Sequence, residues 1–184
     1  MNTMRWYNEP PNWSHKDGSI EVQVGAKTDF WRKTHYGFTR DDGNFYYQQV
    51  IGNFTAEVLI RGQYQTLYDQ AGLMVRQDEQ TWLKCGIEFV DEVQHVSAVV
   101  TRVYSDWSVV PLSQKPSALW LRVKRNRETV EVEYSTDGTH YTLLRLAYLT
   151  EVNSVQVGVM CASPQGKGFL VKFEELKITP QVVF

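Results

Sequence analysis

Trp82, Lys84 and Glu88 occupy alternate positions of one segment, with Gly86 between the two charges. Leu83, Cys85, Ile87 and Phe89 take the intervening positions, the period-two signature of a half-buried strand. An aromatic ring, a cation and an anion therefore share one face. On the preceding segment Ala71, Leu73 and Val75 point one way, and Gln70, Met74 and Arg76 the other. A hairpin turning at Gln77 to Gln80 brings Arg76 to the same polar set, and the later S-D-W-S segment adds Asp106 and Trp107. A ring stacked on the apolar face of a pyranose, with fixed charged groups bonding its hydroxyls, is a physical solution to sugar binding. The set reads as a ligand-binding face. The competing reading is a cross-strand ladder in which Arg76, Lys84 and Glu88 pair with one another, at about 0.2–1 kcal/mol per pair, and Trp82 covers them.

The loop Trp31 to Gly37, W-R-K-T-H-Y-G, is too polar for a core strand and is expected to wall the groove, with Trp31 stacking and His35 reaching a ligand or packing locally. Glycoside hydrolysis needs two carboxyls roughly 5–10 Å apart across a groove. Glu88 and Asp106 are the pair that could supply them, but no residue is assigned a catalytic role. Glu131 and Glu133 lie two apart on a strand whose other face carries Val130, Val132 and Tyr134, so they face solvent. His15, His35, His95 and His140 have no metal-ligand spacing, and neither a metal nor a cofactor is expected. Asp41, Asp42, Gly43 and Asn44 could offer oxygens to calcium, yet read equally as a turn. Lys124, Arg125 and Arg127 read as a solvated hairpin tip. There is no phosphate-binding glycine loop and no G-x-S-x-G elbow.

These side chains need strands to hold them. Patterned segments have the two-residue period throughout, and none sustains helical spacing for three turns. Strands are expected at Ile20 to Val24, Phe45 to Val50, Phe54 to Ile60, Ala71 to Gln77, Thr81 to Phe89 and His95 to Val103. Five more follow at Ser117 to Val123, Val130 to Ser135, Tyr141 to Leu146, Val155 to Ala162 and Phe169 to Ile178. Turn chemistry separates them at Asp17-Gly18, Asp42-Gly43, Arg61-Gly62, Asp137-Gly138 and Pro164 to Gly168. The clearest hairpin joins Leu119–Val123 to Val130–Tyr134, turning near Lys124 to Arg127. About eleven strands suit an all-β sandwich or jelly roll better than a small barrel.

With 184 residues, six Trp, ten Tyr and eight Phe, the chain can bury a sizeable core, and residues 1–184 are expected to form one domain. A net charge of −2 gives no electrostatic case for nucleic acid or an anionic membrane. The N-terminal residues lack the apolar core of a signal peptide, and no run reaches the roughly 20 apolar residues of a membrane span, so a cytoplasmic location is expected. Cys85 and Cys161 alternate in phase with apolar neighbours and read as small buried hydrophobes. The tail Pro180 to Phe184 is a candidate for docking or self-association, or folds back on its own sheet.

Several strings together resemble a known family, the domain-of-unknown-function family 1349, also described as regulation-of-enolase-like. They are T-D-F-W-R-K-T-H-Y-G-F at Thr28–Phe38, Y-D-Q-A-G-L-M-V-R at Tyr68–Arg76, W-L-K-C-G-I-E-F at Trp82–Phe89 and S-A-V-V-T-R-V-Y-S-D-W-S at Ser97–Ser108. Y-S-T-D-G at Tyr134–Gly138 and the closing V-G-V-M-C-A-S-P-Q-G-K-G-F complete the set. The resemblance implies a concanavalin A-like jelly-roll β-sandwich of two antiparallel sheets, related to the domain that follows the propeller in some bacterial xylosidases. It supplies no biochemical activity, and a shared fold with lectins and glucanases is analogy. The expectation is a non-catalytic module binding a carbohydrate or related polar metabolite. Trp31, Trp82 and Trp107 would stack, Arg76, Lys84, Glu88 and Asp106 would hydrogen-bond, and His35 would contribute from its loop. The alternative is a protein-interaction module acting on a metabolic enzyme such as enolase, and the remaining rival is a weak glycoside hydrolase.

Overall fold

The computed structural model describes residues 3–181, and its elements are strands. One sheet runs β1 (Arg5–Tyr7), β6 (Asn44–Ile51), β15 (Ser154–Ala162), β8 (Gln70–Arg76), β9 (Thr81–Val90), β10 (Val93–Arg102), β11 (Tyr104–Pro111). The other runs β14 (Thr142–Tyr148), β13 (Thr129–Ser135), β12 (Leu119–Asn126), β7 (Phe54–Gly62), β16 (Leu170–Pro180), β3 (Ser19–Gln23), β2 (Asn12–Lys16). All pairings within the two sheets are antiparallel. This is the two-sheet jelly-roll sandwich the sequence implied.

The inner faces follow the alternation. Leu73 and Val75 of β8, Leu83 and Cys85 of β9, and Val157, Val159 and Cys161 of β15 meet Phe54, Val58 and Ile60 of β7 and Phe173 of β16 in one apolar cluster. Both cysteines are free thiols inside it, and burial pushes Cys85 up to about 12. Burying such side chains stabilises the sandwich by about 1.5–3 kcal/mol apiece.

The outer face of the β8–β9 sheet is where the fold departs from a half-solvated sandwich. Every residue of β8, and most of β9, is buried. The cover is a small hairpin of β4 (Phe30–Arg32) and β5 (Thr39–Asp41), which lies across the sheet. Beneath it sits a second apolar cluster of Phe30, Trp31, Phe45, Tyr47, Met74, Trp82, Val99 and Met160. Polar clamps hold the hairpin down. Arg76 makes a fork-to-fork pair with Asp41 at 2.7 and 2.8 Å, Lys84 Nζ donates to the Phe30 carbonyl at 2.7 Å, and the Arg32 amide donates to Ser105 Oγ at 2.9 Å.

Five strands lie outside those expected from alternation: β1, β2, β4, β5 and β11. Three of them have only three residues, and β2 is exposed at every position, so none offers a period to read. β11 is an edge strand paired only with β10, and its apolar and polar residues do not alternate cleanly. The β12–β13 hairpin is also longer than expected. Pairing continues to Asn126 and Thr129, with Arg127 in the left-handed region at φ 55°. Lys124 therefore lies within a strand, bonded to Glu131 and Glu133 on the outer face. Arg125 is buried and donates to the carbonyls of Arg127, Thr150, Val152 and Asn153, so it is a loop clamp rather than part of a solvated tip. Of the candidate docking tail, Val182, Val183 and Phe184 lie outside the described residues.

Candidate functional site

Register decides which side chains meet on the covered face. Gln70 stands opposite Glu88, Gly72 opposite Gly86 and Met74 opposite Lys84. Between the two charged residues the sheet therefore presents glycine on both strands. Neither glycine can be replaced without moving backbone: a Cβ on Gly72 would lie 1.7 Å from the Cys85 carbonyl oxygen, and one on Gly86 2.0 Å from that of Ala71. Gln70, Lys84 and Glu88, which flank this glycine pair, line a cavity of about 270 Å³.

Its walls are aromatic. Trp31 comes from β4, Tyr36 and Phe38 from the β4–β5 turn, Tyr68 from the loop before β8, and Trp107 from β11. Tyr36 lies edge-on to Trp31 (5.7 Å between centroids, 67°) and stacks on Phe38 (5.6 Å, 20°). Tyr68 meets Trp107 edge-on at 6.2 Å. The turn bearing Tyr36 is tight, with Lys33, His35 and Gly37 all at positive φ. Tyr36 and Phe38 stay nearly half exposed, so they form the cavity's outer lip. Hydrogen bonding to Tyr36, together with burial, pushes the Tyr68 phenol up to about 12, which keeps it a neutral donor.

The floor is polar. Lys84 spends its ammonium on the Phe30 carbonyl at 2.7 Å, Gln70 Oε1 at 2.6 Å and Asp29 Oδ1 at 3.5 Å. Glu88 is only 6% exposed, and its Oε2 accepts from Ser97 Oγ at 2.6 Å and Trp107 Nε1 at 2.9 Å. Its Oε1 has no hydrogen-bond partner among the described residues. Burial raises the Glu88 pKa, against the opposing pull of Lys84 and the two donors. A raised folded-state pKa gives stability that is fully present below the unfolded value and is lost as pH rises through the folded one. Glu88→Gln keeps the acceptor for Ser97 and Trp107 but carries no charge. It should therefore melt higher than the parent protein at about pH 8, and that gain should shrink toward about pH 4. Paired thermal melts across this range check it.

The structure brings Trp31, Lys84, Glu88 and Trp107 together around the cavity and leaves the other four expected ligand residues elsewhere. Trp82 is wholly buried beneath Phe30, their centroids 6.2 Å apart, and has no face to offer a sugar. Arg76 is taken up by Asp41 and stacks over Tyr7 at 4.6 Å. His35 is exposed on the turn against the Tyr36 ring, outside the cavity. Asp106 is next to Trp107 on β11, so period two sends it to the opposite side, where it pairs with Arg145 at 3.2 Å. The Glu88 and Asp106 carboxyls thus do not share a groove, and that route to glycoside hydrolysis is not assembled. The oxygens of the Asp41 to Asn44 turn are engaged by protein donors: Arg76 and Tyr7 at Asp41, the Asp29 amide and Arg40 at Asp42, and the Gly25 amide at Asn44. Sequence reasoning missed Asp29, Phe38, Arg40, Tyr68 and Gln165, which come from loops and the covering hairpin. Tyr68 carried one available signal, an aromatic directly before Asp69 at a strand entry, where the chain takes φ 69°.

The profile of the family described as "Protein of unknown function (DUF1349)" matches residues 6–181. The chain belongs to that family. Within it, this DUF1349 protein is 39% identical over 174 residues to "Regulation of enolase protein 1" of Saccharomyces cerevisiae, covering 95% of this chain and 88% of that one. A crystal structure of a functionally unknown Saccharomyces cerevisiae protein superposes with a TM-score of 0.94 at 38% identity, over 98% of this chain and 97% of that one. The carbohydrate-binding module CBM66 of Bacillus subtilis gives a TM-score of 0.61 at 10% identity, over 95% of each chain. That last likeness is one of fold. The DUF1349 chain is thus a concanavalin A-like jelly roll.

Proposed function

We propose that this protein is a non-catalytic binding module that takes a carbohydrate or related polar metabolite into the cavity between the β4–β5 hairpin and the outer face of β9 and β10. The observation that carries this reading is the convergence of five aromatic side chains on a buried carboxylate with an unused oxygen. Rings supply flat apolar area for the axial hydrogens of a pyranose, and Glu88 Oε1 supplies a fixed acceptor for hydroxyls. The fold it shares with a carbohydrate-binding module is consistent with such a role. A panel of glycans, free sugars and sugar phosphates, screened with Trp107→Ala as the paired control, tests it. Saturable binding that weakens about two- to tenfold in Trp107→Ala is expected from the roughly 0.5–1.5 kcal/mol of a stacking ring, and further because Trp107 also orients Glu88. Absence of binding across the panel would sink the carbohydrate reading.

A second reading is a regulatory module docking on a metabolic enzyme such as enolase. The name of the 39% identical relative and the apolar side chains of edge strand β14 favour it, since Leu143, Leu146 and Tyr148 are exposed there. Binding to purified enolase that survives Trp107→Ala but is lost in Leu146→Asp would move this reading ahead of the first.

A further inference from the structure

Glu88 is a buried carboxylate whose ion-pair partner is missing from the protein itself. Buried charges are ordinarily paired, because the cost of removing them from water must be offset. Among the described residues the ion pairs include none to Glu88. The nearest candidate on its own strand, Lys84, is turned instead to Asp29, Gln70 and the Phe30 carbonyl. Arg40, the other cation of the lining, is bound to Asp42 and to the carbonyl of Lys27. Three other side chains of the lining spend donors in the same way. Trp31 Nε1 goes to the Thr34 carbonyl, Trp107 Nε1 to Glu88 and Ser97, and Gln70 Nε2 to the Tyr68 carbonyl. What the cavity holds out is an acceptor, Glu88 Oε1, ringed by the π faces and edges of Trp31, Tyr36, Phe38, Tyr68 and Trp107. Aromatic rings around an anion attract organic cations and have nothing to offer a phosphate or carboxylate.

Resting on the carbohydrate reading above, we infer that the ligand is a sugar ring carrying a protonated amino group, seated with its ammonium at Glu88 Oε1 and its ring against the aromatic walls. The volume agrees. About 270 Å³ lies just below the range of roughly 300–1,000 Å³ typical of sites for drug-sized ligands, so it suits one ring rather than an extended chain. The raised Glu88 pKa is the energetic counterpart: the carboxylate pays for burial without a cation, and an entering ammonium would relieve that cost.

The test pairs each amino sugar with its neutral parent: glucosamine with glucose, galactosamine with galactose, mannosamine with mannose. Binding is measured by titration calorimetry to the parent protein and to Glu88→Gln, at a slightly acidic pH that keeps the amines protonated. The expected result is at least one pair in which the amino sugar binds about tenfold tighter, with that preference abolished in Glu88→Gln and residual ring binding retained. Equal affinity within every binding pair would overturn this inference and leave the carbohydrate reading standing. A preference that persists in Glu88→Gln would also overturn it, since the discriminating group would lie elsewhere. If no sugar of any pair binds, this inference falls, and the carbohydrate reading is decided by the wider panel of glycans and sugar phosphates. Glu88→Gln removes a buried charge and keeps the acceptor geometry, so loss of folding is not the expected outcome, and its thermal melt verifies this.

Discussion

Trp82→Ala should destabilise the protein by about 3–5 kcal/mol, the range for truncating a large buried aromatic. For a chain of this size that corresponds to a fall in Tm of roughly 6–20 °C. The indole is fully buried among Phe30, Met74 and Val99, with its Nε1 donating to the Glu79 carbonyl at 3.3 Å. Removing it would open a void where the covering hairpin meets the sheet. Phe30 would lose its edge-on partner and Lys84 would lose the ring it lies over at 5.8 Å. Ligand affinity should also fall, but as a consequence of a loosened cavity floor. Trp82→Phe separates the two contributions: it keeps most of the buried ring, so it should restore most of the Tm and the affinity together. A Trp82→Ala protein that melts within about 2 °C of the parent and yet binds nothing would mean the ring is reached by ligand after all.

How far the chain could be read in advance depends on what one strand knows about its cover. Alternation in β8 and β9 assigned every side chain to its proper face, because the inner positions are aliphatic without interruption and a one-residue slip would expose them all. It also marked Lys84, Glu88 and Gln70 as sharing a face, which the pairing of Gln70 with Glu88 bears out. Period two is silent on what lies above that face. Trp82 and Arg76 have the same phase as Lys84 and Glu88, but the hairpin's Phe30 and Asp41 come down over them, whereas Lys84 and Glu88 further along border the cavity. The contacts that decide this join residues far apart in sequence, such as Asp41 with Arg76 and Phe30 with Lys84. Asp106 and Trp107 illustrate the opposite case. Strict alternation applied to S-D-W-S was enough to separate them, had that segment been treated as the strand it is.

Breaking the Arg76–Asp41 clamp should have the next largest effect, and its consequences should be local. Arg76 is 4% exposed and bonds Asp41 through both guanidinium nitrogens, while the Asp41 side chain retains 22% exposure and also accepts from Tyr7. Truncating one partner of a fully buried pair costs about 3–5 kcal/mol. Water can still reach Asp41, so Arg76→Met should cost somewhat less, about 2–4 kcal/mol. The double variant Arg76→Met/Asp41→Leu should recover much of this, because the loss in the single variant is chiefly the stranded carboxylate. The readout that distinguishes a clamp from ordinary core packing is hydrogen exchange. In Arg76→Met the amides of β4, β5 and their turn should lose protection, whereas those of β12 and β13 in the opposite sheet should change only as far as global stability does. Since Trp31, Tyr36 and Phe38 ride on that hairpin, ligand binding should weaken in parallel with its opening and recover in the double variant. Uniform loss of protection across both sheets would instead make Arg76 a general stability residue, with no special hold on the cavity's lip.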